Sequence, residues 1–192
     1  MSVVGWCRVK PRPVHRTRLQ QTKSVQNANT GNITIRTVNA RPSVDKATEI
    51  HLTISDENLD IVAINETSLP LDVPYAVSMD TAPPEYNIMN KEGHHGGGLA
   101  VIFKDNLKVT RVLINLKTSR FEVITVIIIV RVEKFLMANI YHPPCPDIAT
   151  FFNELSDLED FMVTTGGHSI FIGNFNCARR YRQSFQNLDI LF

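Results

Sequence analysis

Apolar residues in this chain gather in short runs, and four of those runs stop abruptly on polar groups. Ile61-Val62-Ala63-Ile64 leads into Asn65-Glu66-Thr67, and Ile170-Phe171-Ile172 leads into Gly173-Asn174-Phe175-Asn176. Val38 leads into Asn39-Ala40-Arg41, and Ala138 leads through Asn139-Ile140 to Tyr141-His142-Pro143-Pro144. Short apolar runs bounded by turn-forming residues read as buried strands. Polar groups delivered at strand ends are how an α/β scaffold assembles a site from distant parts of a sequence.

The same reading extends along the chain. Strands are expected over 33–39, 60–65, 86–90, 99–103, 108–114, 121–131, 135–141 and 169–175, with Gly96-Gly97-Gly98 and Lys104-Asp105-Asn106 as turns. A first helix is expected over 44–58, capped by Ser43 and with Ala47, Ile50 and Ile54 on one face. A second, over 147–163, carries a broad stripe of Ile148, Phe151, Phe152, Leu155, Leu158, Phe161 and Met162, with acids opposite, and stops at Gly166-Gly167. Residues 68–85, with four prolines, read as a long loop. A few helices among many strands give an α/β fold with a mixed sheet or two sheets. Residues 1–32 are poor in apolar anchors and read as a basic, disordered tail preceding one domain over 33–192.

Charge sharpens that division. Residues 1–44 hold eight Lys or Arg and no acid, whereas residues 45–192 hold twelve against nineteen acids. A basic arm thus precedes a mildly acidic body, a distribution suited to an anionic partner. Cys7, Cys145 and Cys177 match no disulfide or zinc spacing. Together with the lack of an apolar secretory segment in residues 1–30, they point to an intracellular protein. The longest strongly apolar run, residues 123–130, is too short to span a bilayer, so no membrane partner is expected. Other suggestive patterns fail. His95-Gly96-Gly97-Gly98 lacks the Gly-x-Ser-x-Gly elbow of a lipase, adjacent His94 and His95 lack helical metal spacing, and Gly166-Gly167-His168 lacks a phosphate-loop lysine.

Five segments in order carry a more specific message: Thr37-Val38-Asn39-Ala40-Arg41, residues 59–67 ending in Asn65-Glu66-Thr67, Gly96-Gly97-Gly98-Leu99-Ala100-Val101, Ile140-Tyr141-His142-Pro143-Pro144 and Gly173-Asn174-Phe175-Asn176. Together they resemble the endonuclease/exonuclease/phosphatase superfamily of DNase I-like fold, and within it the endonuclease domain of LINE-type non-LTR retrotransposons. The resemblance implies a two-sheet sandwich flanked by helices. It also implies hydrolysis of DNA phosphodiesters with Mg²⁺ or Mn²⁺, no small-molecule cofactor, and a nuclear setting. Residue by residue, Glu66 matches the metal-binding Glu, Asn39 the Asn supporting the metal and phosphate, Tyr141 the Tyr reaching the scissile phosphate, and Asn176 the Asn orienting water or phosphate. The chemistry is apt, because a phosphodiester is anionic and resists attack, and a hard divalent ion prefers carboxylate oxygen.

Two departures bear on activity. Asn174 stands where the family has Asp as general base, and an amide neither accepts a proton nor carries charge. The family's terminal Ser-Asp-His does not occur after Asn176, so the domain is expected to be truncated at its C-terminus. Whether the chain is an enzyme is therefore left open. It reads as a truncated, impaired retrotransposon-type endonuclease. The alternatives are a non-catalytic remnant that binds nucleic acid through the basic arm, and a superfamily phosphatase.

Overall fold

The computed structural model describes residues 20–25, 33–40, 46–67, 82–91, 97–144, 147–176 and 190–191. The elements are β1 (Gln20–Val25), β2 (Ile33–Asn39), α1 (Lys46–Asp56), β3 (Ile61–Asn65), β4 (Tyr86–Lys91), β5 (Leu99–Lys104), β6 (Lys108–Val112), β7 (Glu122–Val130), β8 (Glu133–Tyr141), α2 (Ile148–Thr165), β9 (His168–Asn174) and β10 (Ile190–Leu191). They form two mixed five-stranded sheets, β1-β2-β3-β5-β4 and β10-β9-β8-β7-β6. Each sheet contains a parallel pair joined through a helix, β2-α1-β3 in the first and β8-α2-β9 in the second.

Strand periodicity explains the layering. Ile33, Ile35, Ile61, Ala63, Leu99, Val101, Ile124, Val126, Phe135, Met137, Ile170 and Ile172 fill the space between the sheets. The alternate residues face outward to a helix. Val62, Ile64, Ala100 and Ile102 pack with Ile50 and Ile54 of α1. Leu136, Ala138, Ile140 and Phe171 pack with Phe151, Leu155, Leu158 and Met162 of α2. Strands covered on both faces have no polar side, which is why they read as continuous apolar runs. Asp147 caps α2 by accepting the Thr150 N–H at 3.2 Å, and Gly166, at φ 77°, turns the chain out of it. Asp157 and Asp160 lie exposed.

The two-sheet α/β sandwich is the expected fold, with strand ends displaced by a residue or two. Two elements were not legible. The polar strand β1 lies within the segment read as a tail and pairs antiparallel with β2, and β10 adds two parallel residues beside β9. The Ser43 cap, most of the 68–85 loop, His94 and His95 fall outside the described residues. Among the described residues, no helix is long and apolar enough to cross a membrane.

One interruption of the inner core fixes how the sheets face each other. Asn65 and Asn139 stand on the inward face of β3 and β8, and both are fully buried. Asn65 Nδ2 donates to Asn139 Oδ1 at 2.9 Å and to the Ile140 carbonyl at 3.0 Å. Asn139 Nδ2 donates back across the interface to the carbonyls of Ile64 (3.1 Å) and Ala100 (3.2 Å). The Thr37 hydroxyl donates to Asn65 Oδ1 at 3.2 Å. Each amide hydrogen of the pair has an acceptor, the condition under which a buried polar pair specifies geometry instead of weakening the core. Replacing Asn139 with Leu strands the Asn65 amide, so urea unfolding of Asn139→Leu is expected to lose about 3 kcal/mol. The Asn65→Leu/Asn139→Leu pair should lose less than the sum of the two single changes. Additive losses would show that the amides do not act as a unit.

Candidate active site

The last residues of β2, β3, β8 and β9 are Asn39, Asn65, Tyr141 and Asn174. Parallel pairing sets Asn39 beside Asn65 and Tyr141 beside Asn174, so both sheets deliver their polar ends to one rim of the sandwich. The carboxyl end of parallel strands is the usual location of α/β sites. Glu66 follows β3 directly and takes the left-handed backbone conformation, φ 56°. That conformation is unfavourable for a residue with a Cβ and persists only where its surroundings hold it.

The neighbouring backbone does hold it. Asn65 C=O accepts the Ala40 N–H at 2.8 Å, and Gly98 C=O accepts the Thr67 N–H at 3.3 Å. Two amides then converge on one carboxylate oxygen: Asn39 Nδ2 donates to Glu66 Oε1 at 2.7 Å, and Asn174 Nδ2 at 2.9 Å. The second partner lies 108 residues away in sequence. Asn174 Oδ1 in turn accepts the Asn176 N–H at 3.2 Å, which fixes the orientation of the amide from both ends. Gly173, at φ 137°, approaches β8 so closely that any Cβ would run into the Ile140 carbonyl. The glycine before Asn174 is therefore required by close strand packing.

Tyr141 is buried to 8% exposure. Burial, then the charges of Glu66 and Glu122, push its phenol up to about 12, so it is a proton-bearing donor throughout the neutral range. Asn176 is placed differently from the others. Its Nδ2 donates to the His142 carbonyl at 2.7 Å, tying the turn after β9 to the end of β8, with no bond to Glu66. The structure thus joins Asn39, Glu66 and Asn174 directly, sets Tyr141 in the field of Glu66, and uses Asn176 as a brace. Among the described residues, no cluster of three or more His, Cys, Asp or Glu side chains is placed to hold a metal ion.

Sequence reading missed His142, which backs the site. It is fully buried, and its Nδ1 lies 2.8 Å from the Phe175 carbonyl, so Nδ1 carries the hydrogen. The ring stacks on Phe151 at 4.1 Å, and Nε2 has no partner among the described residues. Its place between Tyr141 and two prolines gave no sign of this.

The residue pattern and this geometry agree with the sequence comparison. The Endonuclease/Exonuclease/phosphatase family pattern matches residues 26–191, and the chain belongs to that family. No curated protein matches it. Solved structures with a similar fold include the endonuclease domain of TRAS1, a telomere-specific non-LTR retrotransposon. That similarity has 17% identity and a TM-score of 0.54, covering 77% of this chain and 62% of that one. Truncated Caenorhabditis elegans TDP2 is similar at 14% identity and TM-score 0.53, covering 71% and 57%. A variant of the 3′ phosphatase NExo from Neisseria, bound to product DNA hairpin, is similar at 16% identity and TM-score 0.54, covering 81% and 65%. The chain thus spans less than two thirds of the length of each of these neighbours.

His142 generates a pH prediction. Burial, and less so the Arg120 charge, lower its pKa against the raising effect of the Phe175 carbonyl. A lowered folded pKa means that the unfolded chain takes up a proton first as pH falls below about 6.5. Folding stability should therefore be fully present above that pH and decline below it, with a slope no steeper than about 1.4 kcal/mol per pH unit for this one group. Urea unfolding at pH 7.5 and 5.5 checks this. His142→Phe should flatten the decline, and an unchanged slope would assign it to other groups.

Proposed function

We propose that this chain is a retrotransposon-type endonuclease domain that acts on DNA phosphodiesters in the nucleus with Mg²⁺ or Mn²⁺, and that Asn174 has impaired it. The observation that carries this reading is the convergence of Asn39 and Asn174 on Glu66 Oε1 at the carboxyl ends of strands from both sheets. Further support comes from the ordered motifs and from the likeness of fold to the TRAS1 endonuclease domain.

The residues present suit a divalent ion held by a single charge. Glu66 would bind it, with Asn39 Oδ1 and Asn174 Oδ1 available after an amide flip; hard oxygen donors, one carboxylate and retained waters meet the needs of Mg²⁺. A divalent ion bound there would neutralise the phosphodiester's charge. Tyr141 would donate its phenolic hydrogen bond to a phosphate oxygen, and Asn176 would hold the turn that carries Asn174. Asn174 itself is the weak member. Its Nδ2 donates to Glu66, and turning Oδ1 inward breaks the bonds to Glu66 and Asn176. Its amide takes no proton from water, and loss of a general base costs about 10²–10⁴-fold in rate.

A second reading, a non-catalytic remnant that binds nucleic acid through Arg8, Lys10, Arg12, Arg16, Arg18 and Lys23, is favoured by the acid-free first 44 residues. One comparison separates the two. The unmodified chain should bind Mn²⁺ weakly, in a manner removed by Glu66→Gln, and should not nick supercoiled plasmid above background. Asn174→Asp sets two carboxylates against each other, so it should lower the melting temperature in EDTA and restore it in Mn²⁺, an effect nearly absent in the unmodified chain. Equal metal response in both chains would remove Asn174 from the account. EDTA-sensitive nicking by the unmodified chain would make it an active nuclease.

A further inference from the structure

We infer that Glu122 is a positioning residue of this site, whose carboxylate clamps the Gly97-Gly98 turn and through it holds Thr67 and the left-handed Glu66 in place; the inference rests on the reading of Glu66 given above. Glu122 is the first residue of β7 and pairs in register with Tyr141, the last residue of β8, so it stands on the same rim. Its Oε2 accepts the Gly98 N–H at 2.8 Å. The carboxylate lies flat against the turn, so that a Cβ on Gly97 would collide with Glu122 Oε1, Cδ and Oε2. Gly97 is thus required by the close approach of this side chain, and Gly98, at φ 99°, by its backbone conformation.

From Gly98 the contact passes to Glu66. The Gly98 carbonyl accepts the Thr67 N–H, and Leu99 pairs with Asn65 across β3 and β5. The backbone on either side of Glu66 is therefore gripped. Ala40 N–H binds the Asn65 carbonyl before it, and Gly98 C=O holds Thr67 after it. The second grip traces back to a side chain of the opposite sheet, Glu122. Lys91 completes the clamp. Its Nζ donates to the Val123 carbonyl at 3.2 Å, and its half-buried charge lies in the field of Glu122. A left-handed Glu at the point of proposed chemistry is a strained element that needs external support, and an acceptor held against the turn by the opposite sheet supplies it.

The test uses the full chain and its Glu122→Gln, Glu122→Ala and Glu66→Gln variants, with two readouts. The first is amide hydrogen exchange at Gly98 and Thr67. Glu122→Ala should accelerate both by about tenfold, the scale set by losing one hydrogen bond to a charged group. Glu122→Gln retains an acceptor and should stay within about twofold of the unmodified chain, and exchange in the core of β8 should be unchanged in all of them. The second readout is Mn²⁺ affinity by calorimetry, which should fall in Glu122→Ala, be largely kept in Glu122→Gln, and show no additional loss when Glu122→Ala is added to Glu66→Gln. Unchanged exchange at Thr67 in Glu122→Ala would overturn the inference. So would a Glu122→Gln variant as impaired as Glu122→Ala, because the charge and not the clamp would then matter. If Mn²⁺ does not bind at Glu66 at all, the metal reading fails alone, and the exchange experiment still decides the clamp.

Discussion

The buried amide pair Asn65–Asn139 is the constraint from which the site follows. Two apolar sheet faces can slide over each other at little cost, since the hydrophobic effect has no direction. Amides with fixed partners cannot. Asn139 binds the carbonyls of Ile64 and Ala100 in the opposite sheet, and Asn65 binds Asn139 and the Ile140 carbonyl in return. A shift of one residue in either strand would turn these side chains toward the helices and leave their hydrogens unpaired. The residues that follow the pair, Glu66 after Asn65 and Tyr141 two beyond Asn139, are thereby placed opposite each other.

That arrangement makes much of the fold and the candidate site readable in the sequence. Past Glu133 and His168 at the starts of β8 and β9, the inward-facing positions of β2, β3, β8 and β9 are apolar until each strand nears its end, then become Thr37 and Asn39, Asn65, Asn139 and Tyr141, and Asn174. Period-two alternation identifies those positions, and the end of the apolar run identifies the rim. The stripe of α2 and the Gly pair after it were legible for the same reason. What escaped has physical causes as well. β1 is a polar edge strand whose evidence lies in its backbone pairing with β2, not in its side chains. Asn65 and Asn139 were visible as polar residues in apolar runs, but their partnership joins positions 74 residues apart. Glu122 carried no signal in the sequence, because its contact depends on Gly97 and Gly98, distant in the chain, lying against it.

Asn174 shows how one atom changes the electrostatics of such a rim. With an amide there, Glu66 Oε1 receives two N–H donors from within the protein. With a carboxylate there, two negative groups would meet, and a cation would be the natural remedy. The amide at 174 leaves the rim internally hydrogen-bonded, from Glu66 through Asn174 to the Asn176 N–H. On the reading proposed above, it also lowers the demand for a metal.

Anomalous diffraction from crystals of this chain soaked in Mn²⁺ tests the proposed metal role of Glu66 most directly. It predicts a peak about 2.1 Å from the Glu66 carboxylate, with at least one of Asn39 and Asn174 turned to present its oxygen. A saturating soak that leaves both amide nitrogens on Glu66 Oε1, with the ion elsewhere or no ion at all, would contradict it.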